Sequence, residues 1–201
     1  MSTGGSSLGT AIVIAVGGSG DRLGGGKPDR SLGDASLLQH ALSLANQWGG
    51  PLAVSVRDEV PSSAGSAAVT KDSALIEGPI AALESGFRFA AEHGCSYLLL
   101  LACDMPFLPP DLLPRLQRAI GEAKAALPVS EGRPQTMAGL WKVDPEPLEV
   151  YLATGQRSLW RFAEQQNAVR IDWEDPASHD PFADIDDQAA LDEAERRLAK
   201  E

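Results

Sequence analysis

The chain has 201 residues, of which 43% are hydrophobic, and it carries a formal net charge of −11. This length and hydrophobic content suit one domain with a substantial core, and they exclude a disordered chain. The strong negative charge disfavours nonspecific binding to nucleic acid or to an anionic membrane, because both attract positively charged surfaces.

Short apolar runs alternate with helical patterns along most of the chain. Residues 1–10 are small and polar and are predicted to form a flexible leader, whereas residues 11–201 are predicted to form a single domain. In chain order we predict strand 10–16, helix 36–47, strands 51–56 and 67–70, helix 79–93, strand 97–102, helix 111–125, strands 126–129 and 136–142, and helices 147–153, 158–166 and 187–200. This alternation predicts an α/β fold of three layers, with helices on both faces of a doubly wound, mainly parallel sheet.

The sequence carries no recognisable export or membrane signal. Its two cysteines, Cys95 and Cys103, do not make a disulfide framework or a zinc set, which fits a reducing compartment. The N-terminus lacks the basic start and the apolar run of a signal peptide. No stretch reaches the roughly 18 apolar residues of a membrane span. We therefore expect a cytoplasmic protein.

The predicted topology also places the ligand site. Ligands of doubly wound sheets bind outside the carboxyl ends of the strands, so the residues that follow Val16, Val56, Thr70 and Ala102 should share one crevice. The first 60 residues carry five acidic and four basic side chains, whereas residues 171–201 carry eleven and three. Any anion site should therefore lie in the N-terminal half.

A glycine-rich loop follows the first predicted strand. The segment AVGGSGDRLGGGKP holds six glycines between Gly17 and Gly26, and Arg22 and Lys27 add positive charge. Glycines let backbone N–H groups approach a phosphate closely, so this loop predicts a phosphate site. It does not match a P-loop, because proline stands where the serine or threonine should follow the lysine. The alternative is a plain surface loop, which the spaced cations and the preceding buried strand disfavour.

An aspartate, Asp104, follows the leucine-rich strand that ends at Ala102. A carboxylate at the carboxyl end of a central strand lies over the crevice, and Mg²⁺ takes one or two carboxylates together with phosphate oxygens. Asp104 is therefore a candidate metal ligand, and the alternative is a turn residue that caps the next helix. The neighbouring Cys103 has no histidine at a recognisable spacing and is predicted to be a buried, small apolar residue.

Three motifs together resemble one enzyme family. The glycine loop up to Lys27 resembles the signature loop of sugar-phosphate and related nucleotidyltransferases. Residues 78–81 (GPIA) are similar to a family segment GPLAG, and residues 103–107 (CDMPF), followed by PPDL, are similar to another. Together they resemble molybdenum cofactor guanylyltransferases over about residues 11–191.

This resemblance implies a Rossmann-like nucleotide-diphospho-sugar transferase fold and a Mg²⁺-dependent nucleotidyltransferase. The enzyme would transfer GMP from GTP to molybdenum-molybdopterin, release pyrophosphate and form molybdopterin guanine dinucleotide, with cofactor-assembly proteins as candidate partners. Carried over by position, the implied nucleotide-binding residues are Ala15, Val16, Gly17, Gly18, Lys27, Ser55, Asp72 and Asp104. Implied catalytic residues are Lys27, Arg22 and Asp104, implied metal ligands are Asp104 and Asp186, and the implied acceptor-binding residue is Arg157.

The chain departs from the family pattern at the phosphate lysine and at a late segment. Lys27 lacks the aspartate that often precedes it, so Arg30 stays open as the main phosphate contact. The usual opening LAGG is here AVGG. The family segment NVNTPE is here DIDD at residues 184–187, which makes Asp186 either a second metal ligand or part of an acidic helix N-terminus.

Two alternative functions remain open at this point. One is a related nucleotidyltransferase with another base or acceptor, such as a molybdenum cofactor cytidylyltransferase. The other is a non-catalytic protein that binds GTP or the cofactor and has lost turnover.

Overall fold

The structure, a computed structural model, describes residues 9–17, 25–173 and 180–199. Its strands are β1 (Thr10–Ala15), β2 (Ser31–Leu32), β3 (Ala35–Ser36), β4 (Leu52–Val56), β5 (Ala68–Lys71), β6 (Tyr97–Ala102), β7 (Ala125–Ser130), β8 (Arg133–Pro134), β9 (Ala138–Lys142) and β10 (Val169–Asp172). Its α-helices are α1 (Leu37–Trp48), α2 (Ile80–Glu92), α3 (Leu112–Ile120), α4 (Pro145–Ala153), α5 (Leu159–Gln165) and α6 (Gln188–Leu198). Two short 3-10 helices cover Lys27–Asp29 and Ser62–Ala64.

Eight strands within these ranges form one sheet. Its order is β10-β7-β9-β6-β1-β4-β5, and β8 pairs with β7. β1 lies parallel to β4 and to β6, and β5 lies parallel to β4. β9 runs antiparallel between β6 and β7. The predicted α/β fold with a mainly parallel sheet is confirmed.

Helices pack on both faces of this sheet. Alternate side chains of β1 point to opposite faces, as the strand geometry requires. Ile12 and Ile14 pack in one core with Leu38 of α1 and with residues of α3. Val13 packs in a second core with Leu83 of α2 and with residues of α4 and α5. β1 is buried on both faces, which explains why its sequence is an uninterrupted apolar run.

Local signals set the ends of the helices. Ser36 begins α1 with a capping box, in which its hydroxyl accepts the N–H of Gln39 and the Gln39 side chain accepts the N–H of Ser36. α3 ends at Gly121, whose φ is 46°. The predicted helix 111–125 was therefore wrong in its last turn, while the other predicted boundaries lie within two residues of the observed ones. No helix within the described ranges is both long and apolar enough to cross a membrane.

A third hydrophobic cluster joins the C-terminal segment to the loop after β1. β2 and β3 form a small antiparallel hairpin that the sequence patterns did not predict. Leu32 of this hairpin packs against Ile185 and against Leu191 of α6. The cluster therefore brings residues 184–187 to the chain segment that carries Lys27.

Gly50, two residues before β4, packs closely against the first residue of β1. Gly50 has a φ of 91°, and a Cβ there would lie 2.6 Å from the Thr10 carbonyl oxygen, whereas Gly49 has a φ of 71° and open space. We expect Gly49→Ala to lower the free energy of unfolding by about 1–3 kcal/mol, the cost of backbone strain alone. Gly50→Ala should lower the free energy of unfolding by at least about 1 kcal/mol more than Gly49→Ala does, because the backbone must also shift. Urea denaturation measures both variants, and equal losses would contradict this account.

Candidate active site

A crevice of ≈ 750 Å³ opens at the carboxyl ends of β1, β4 and β5. This volume lies within the range that small-molecule sites occupy. The loops after these three strands share the crevice, as predicted, whereas none of the described residues that line it belongs to the loop after β6. Asp104 of that loop instead contacts Lys27, whose neighbours Gly26 and Pro28 line the crevice. Residues that line the crevice include Ala15, Val16, Gly17, Arg57, Asp72 and Gly78.

Lys27 connects the end of the glycine loop to two carboxylates. Gly25 and Gly26, with φ of 82° and 63°, turn the chain into the 3-10 helix that starts at Lys27. The Lys27 Nζ lies 2.5 Å from Asp104 Oδ2 and 3.2 Å from Asp186 Oδ1. Burial opposes the charged form, but the hydrogen bonds and charges of Asp104 and Asp186 outweigh it and raise the pKa of the Lys27 ammonium. Lys27 is therefore protonated at neutral pH and bridges the two carboxylates.

Three carboxylates converge at this point and form what we call the carboxylate cluster, Asp104, Asp184 and Asp186. Each offers an oxygen, and these oxygens lie within 4.8 Å of one another. The Oδ1 of Asp104 is buried and accepts no hydrogen bond within the described part of the chain. Desolvation and the charges of Asp186 and Asp104 raise the pKa of the Asp184 carboxyl. A buried acceptor without a donor, among converging carboxylates, fits a divalent cation such as Mg²⁺.

The C-terminal segment reaches the cluster because it is held at three points. The Ile185 N–H donates to the carbonyl oxygen of Asp104 at 3.0 Å. Earlier in this segment, the Asp180 carboxylate accepts a hydrogen bond of 2.6 Å from the hydroxyl of Ser130, at the end of β7. Later in this segment, the Asp187 carboxylate caps the first turn of α6. The acidic N-terminus predicted for this helix is therefore observed, because Asp187 caps α6. Asp186 faces Lys27, and its role as a metal ligand stays a prediction.

Asp72 lines the crevice and is held by two serine hydroxyls. Ser55 donates to the Asp72 carboxylate, and Ser85 donates to the same oxygen at 2.8 Å. The Asp72 N–H donates to the carbonyl oxygen of Val56 at 2.9 Å. Ser55 is fully buried, so it reaches the crevice through Asp72 rather than directly. The nucleotide contacts of Ser55 and Asp72 stay predictions.

Asp29 ties two walls of the crevice together. Its carboxylate accepts the N–H groups of Ser62 and Ser63 at 3.2 and 2.7 Å. Slight burial opposes ionisation, but the hydrogen bonds from Ser63 and Ser62 outweigh it and lower the pKa of the Asp29 carboxyl. The segment that follows the glycine loop is thereby fastened to the loop after β4.

Arg57 is a functional candidate that the sequence patterns did not single out. It follows β4 directly, lines the crevice and is half-buried. Its Nη2 donates to the carbonyl oxygen of Ile76 at 2.7 Å. The only sequence signal for it was its position after a predicted strand.

Arg157 lies at the rim of the crevice rather than inside it. Its Nη1 donates to the carbonyl oxygens of Leu152 and Gln156 at 2.9 and 2.7 Å. Its own carbonyl oxygen lies 3.9 Å from the position of a Cβ on Gly78, a residue of the crevice wall. The acceptor-binding role of Arg157 stays a prediction.

The remaining predicted residues near the site have different outcomes. Gly18 and Arg22 lie outside the described residues. Cys103 is buried as predicted, and burial together with the charge of Asp104 raises the pKa of its thiol to about 12. The thiol is therefore not a nucleophile at neutral pH.

Known proteins are similar in sequence to this chain over nearly its whole length. The profile of the family "MobA-like NTP transferase domain" matches residues 12–171. A molybdenum cofactor guanylyltransferase from Cereibacter sphaeroides is 31% identical over 191 residues, which cover 94% of this chain and 97% of that protein. One from Rhizobium johnstonii is 31% identical over 206 residues, covering 94% and 92%.

Solved structures share the fold. Molybdopterin-guanine dinucleotide biosynthesis protein A from Archaeoglobus fulgidus has a TM-score of 0.78 at 24% identity, covering 95% of this chain and 100% of that one. A 4-diphosphocytidyl-2C-methyl-D-erythritol synthase from Anaerococcus prevotii has a TM-score of 0.73 at 13% identity, covering 94% and 96%. The common fold thus includes proteins named for guanine and for cytidine nucleotides.

Because Lys27 contacts two residues of the carboxylate cluster, we expect its ammonium to compete with a metal ion for the cluster's oxygens. Without nucleotide, Lys27→Met should bind Mn²⁺ roughly tenfold more tightly, since the repulsion of two charges near a protein surface is worth about 1–4 kcal/mol. Titration of free Mn²⁺ by electron paramagnetic resonance measures this affinity. Lys124→Met is the control, because Lys124 is exposed and pairs with Asp144 outside the cluster. Unchanged or weaker Mn²⁺ binding by Lys27→Met would show that the ammonium does not compete.

Proposed function

We infer the function from one premise: this chain belongs to the family of MobA-like NTP transferase domains. We propose that it transfers GMP from GTP to molybdenum-molybdopterin, with release of pyrophosphate and formation of molybdopterin guanine dinucleotide. The observation that carries the proposal is the contact of Lys27 with Asp104 and Asp186 beside a crevice of nucleotide size. The relatives named molybdenum cofactor guanylyltransferase, which match 94% of the chain, supply the identity of the substrates.

The nucleotide would lie along the carboxyl edge of the sheet. Gly17 and Gly26 line the crevice at the two ends of the glycine loop, and Lys27 follows directly. The backbone N–H groups of such a loop and the lysine ammonium attract phosphate oxygens. The nucleoside would then extend toward Asp72, on the far side of β4.

Mg²⁺ is the proposed cofactor, and the carboxylate cluster would hold it. Asp104 offers a buried oxygen that accepts no hydrogen bond from the described residues, and Asp186 and Asp184 offer two more. When bound, the ion would neutralise charge on the phosphates during transfer. Lys27 would then exchange its carboxylate partners for phosphate oxygens.

The chain's own residues supply positioning and charge rather than acid–base chemistry. The acceptor is a phosphate, so it arrives as an anion that needs no general base. Accordingly, the histidines within the described ranges are engaged elsewhere: His40 and His93 face the carbonyl oxygens of Leu32 and Phe89 at 2.9 and 2.8 Å. Holding the acceptor in line with the leaving pyrophosphate can supply much of the rate enhancement.

The acceptor would enter from the side of α4 and α5, where Arg157 approaches Gly78. Cofactor-assembly proteins that deliver molybdopterin are the proposed partners, and the cytoplasm is the proposed location. A cytidylyltransferase of the same cofactor is the alternative within the fold, since a neighbouring structure is named for a cytidine nucleotide.

We expect Asp104→Ala to lose at least about a hundredfold in kcat, because one fixed electrostatic group at a reacting phosphate is worth about that much. Pyrophosphate release from GTP, with molybdopterin and Mg²⁺ present, is the measurement. Asp192→Ala, which removes an exposed carboxylate of α6, is the control and should keep full activity. Activity of the unchanged protein with CTP instead of GTP would favour the cytidylyl alternative. GTP binding without any pyrophosphate would indicate a non-catalytic protein.

A second pair of variants separates the two candidate phosphate cations. Lys27→Ala should lower kcat/KM by roughly thirtyfold, equivalent to about 2 kcal/mol of transition-state stabilisation. Arg30→Ala should have a smaller effect, because Lys27 directly follows the glycine loop and contacts Asp104. The reverse order in steady-state kinetics would identify Arg30 as the main phosphate contact.

A further inference from the structure

We propose that Arg57 recognises the base of the bound nucleotide and selects guanine over adenine by donating hydrogen bonds to O6 and N7. The inference rests on the proposed function and deepens it, because it assigns base specificity to a residue. It is carried by the charge environment of Arg57, by its position along the sheet and by the chemistry of the purine ring.

Among the residues that the structure describes, Arg57 is a cation without an anionic partner. Within the described residues it is the only basic side chain that lines the crevice, and five acidic residues line the same crevice: Asp29, Asp58, Glu59, Asp72 and Glu77. Arg57 forms no ion pair with any of them, and the only hydrogen bond its side chain makes among the described residues is to the Ile76 carbonyl oxygen. That bond orients the guanidinium and leaves most of its five N–H donors for a ligand.

The position of Arg57 separates it from the phosphate end of the crevice. The strands lie side by side in the order β6, β1, β4, β5. Asp104 follows β6 and Arg57 follows β4, so they stand two strand spacings apart, or about 10 Å. Asp72, which follows β5, is on the same side as Arg57. A nucleotide with its phosphates at Lys27 would therefore place its base near Arg57.

The wall around Arg57 also suits a flat aromatic ring. Val60, Pro61, Pro79 and Ala82 line the crevice with apolar surface. A base site needs such surface for its faces and a few placed polar groups for its edge. The apolar residues supply the first requirement, and the oriented guanidinium supplies the second.

The hydrogen-bonding groups on the purine edge explain why Arg57 would prefer guanine to adenine. Guanine presents two acceptors, O6 and N7, that an arginine fork can contact together, whereas adenine presents an amino donor in place of O6. A guanidinium fixed in the crevice would therefore accept guanine and oppose adenine. Such a bidentate contact is worth roughly 5- to 150-fold in discrimination.

The test compares GTP, 7-deaza-GTP and ATP on the whole chain, by isothermal titration with Mg²⁺ present. 7-Deaza-GTP keeps the phosphates and O6 but lacks the N7 acceptor. The unchanged protein should bind GTP at least fivefold more tightly than 7-deaza-GTP, and more tightly still than ATP. Arg57→Leu should bind GTP roughly tenfold more weakly and should no longer distinguish GTP from 7-deaza-GTP. Arg118→Leu, which removes an exposed arginine of α3, is the matched control and should behave like the unchanged protein.

Arg57→Lys is a second variant that controls for a local rearrangement of the crevice. It keeps the positive charge and can still donate a hydrogen bond to the Ile76 carbonyl oxygen. It should keep most of the affinity for 7-deaza-GTP and should weaken the preference for GTP, because an ammonium lacks the planar fork that contacts O6 and N7 together. Equal weakening of all three nucleotides by Arg57→Leu would place Arg57 at the phosphates and overturn the inference, as would an unchanged preference for GTP over 7-deaza-GTP. Failure of the unchanged protein to bind GTP would instead refute the proposed function, and the inference with it.

Discussion

The register of three parallel strands is the constraint on which the site depends. β1 pairs with β4 and with β6 so that Ala15 lies level with Ser55 and Ala102. The chain therefore leaves all three strands at one edge of the sheet, where the glycine loop, Arg57 and Asp104 emerge side by side. A slip of one residue would turn the side chains of β1 to the wrong face, and both hydrophobic cores oppose it. The packing that stabilises the fold is thus also what places the functional groups.

Charge interactions between Lys27 and three carboxylates also hold the site together. Asp104 comes from the centre of the sheet, whereas Asp184 and Asp186 come from a segment far along the chain. Three carboxylates this close repel one another, and Lys27 offsets the repulsion by contacting two of them. The end of the glycine loop, the loop after β6 and the C-terminal segment are therefore one electrostatic unit. In this structure Lys27 is paired with Asp104 and Asp186, and the proposed substrates would have to replace those two contacts with equivalent ones.

How much could be predicted from the sequence differs between the fold and the site. β1 and β6 could be predicted, because strands buried on both faces are uninterrupted apolar runs. β2, β3 and β8 have two residues each, which is too short for any periodic signal. Lys27 and Asp104 could be predicted because each follows a strong local motif. Asp184 could not, because a backbone hydrogen bond between distant segments brings it to Asp104. Arg57 stood beside no motif, and only the crevice shows that its charge has no anionic partner in the described part of the chain.

The net charge of the protein conflicts with its proposed substrates only if charge is averaged over the surface. A net charge of −11 repels polyanions at long range. Attraction must then come from short-range groups, and the partly buried Lys27 and Arg57 are screened by salt much less than exposed cations are. The carboxylate cluster acts in the same direction, because it attracts a divalent cation. A nucleotide that arrives with its metal ion carries less negative charge than the free nucleotide and brings the partner that the cluster requires. An acidic protein with few, well-placed cations is therefore suited to select the metal complex of a nucleotide over other anions.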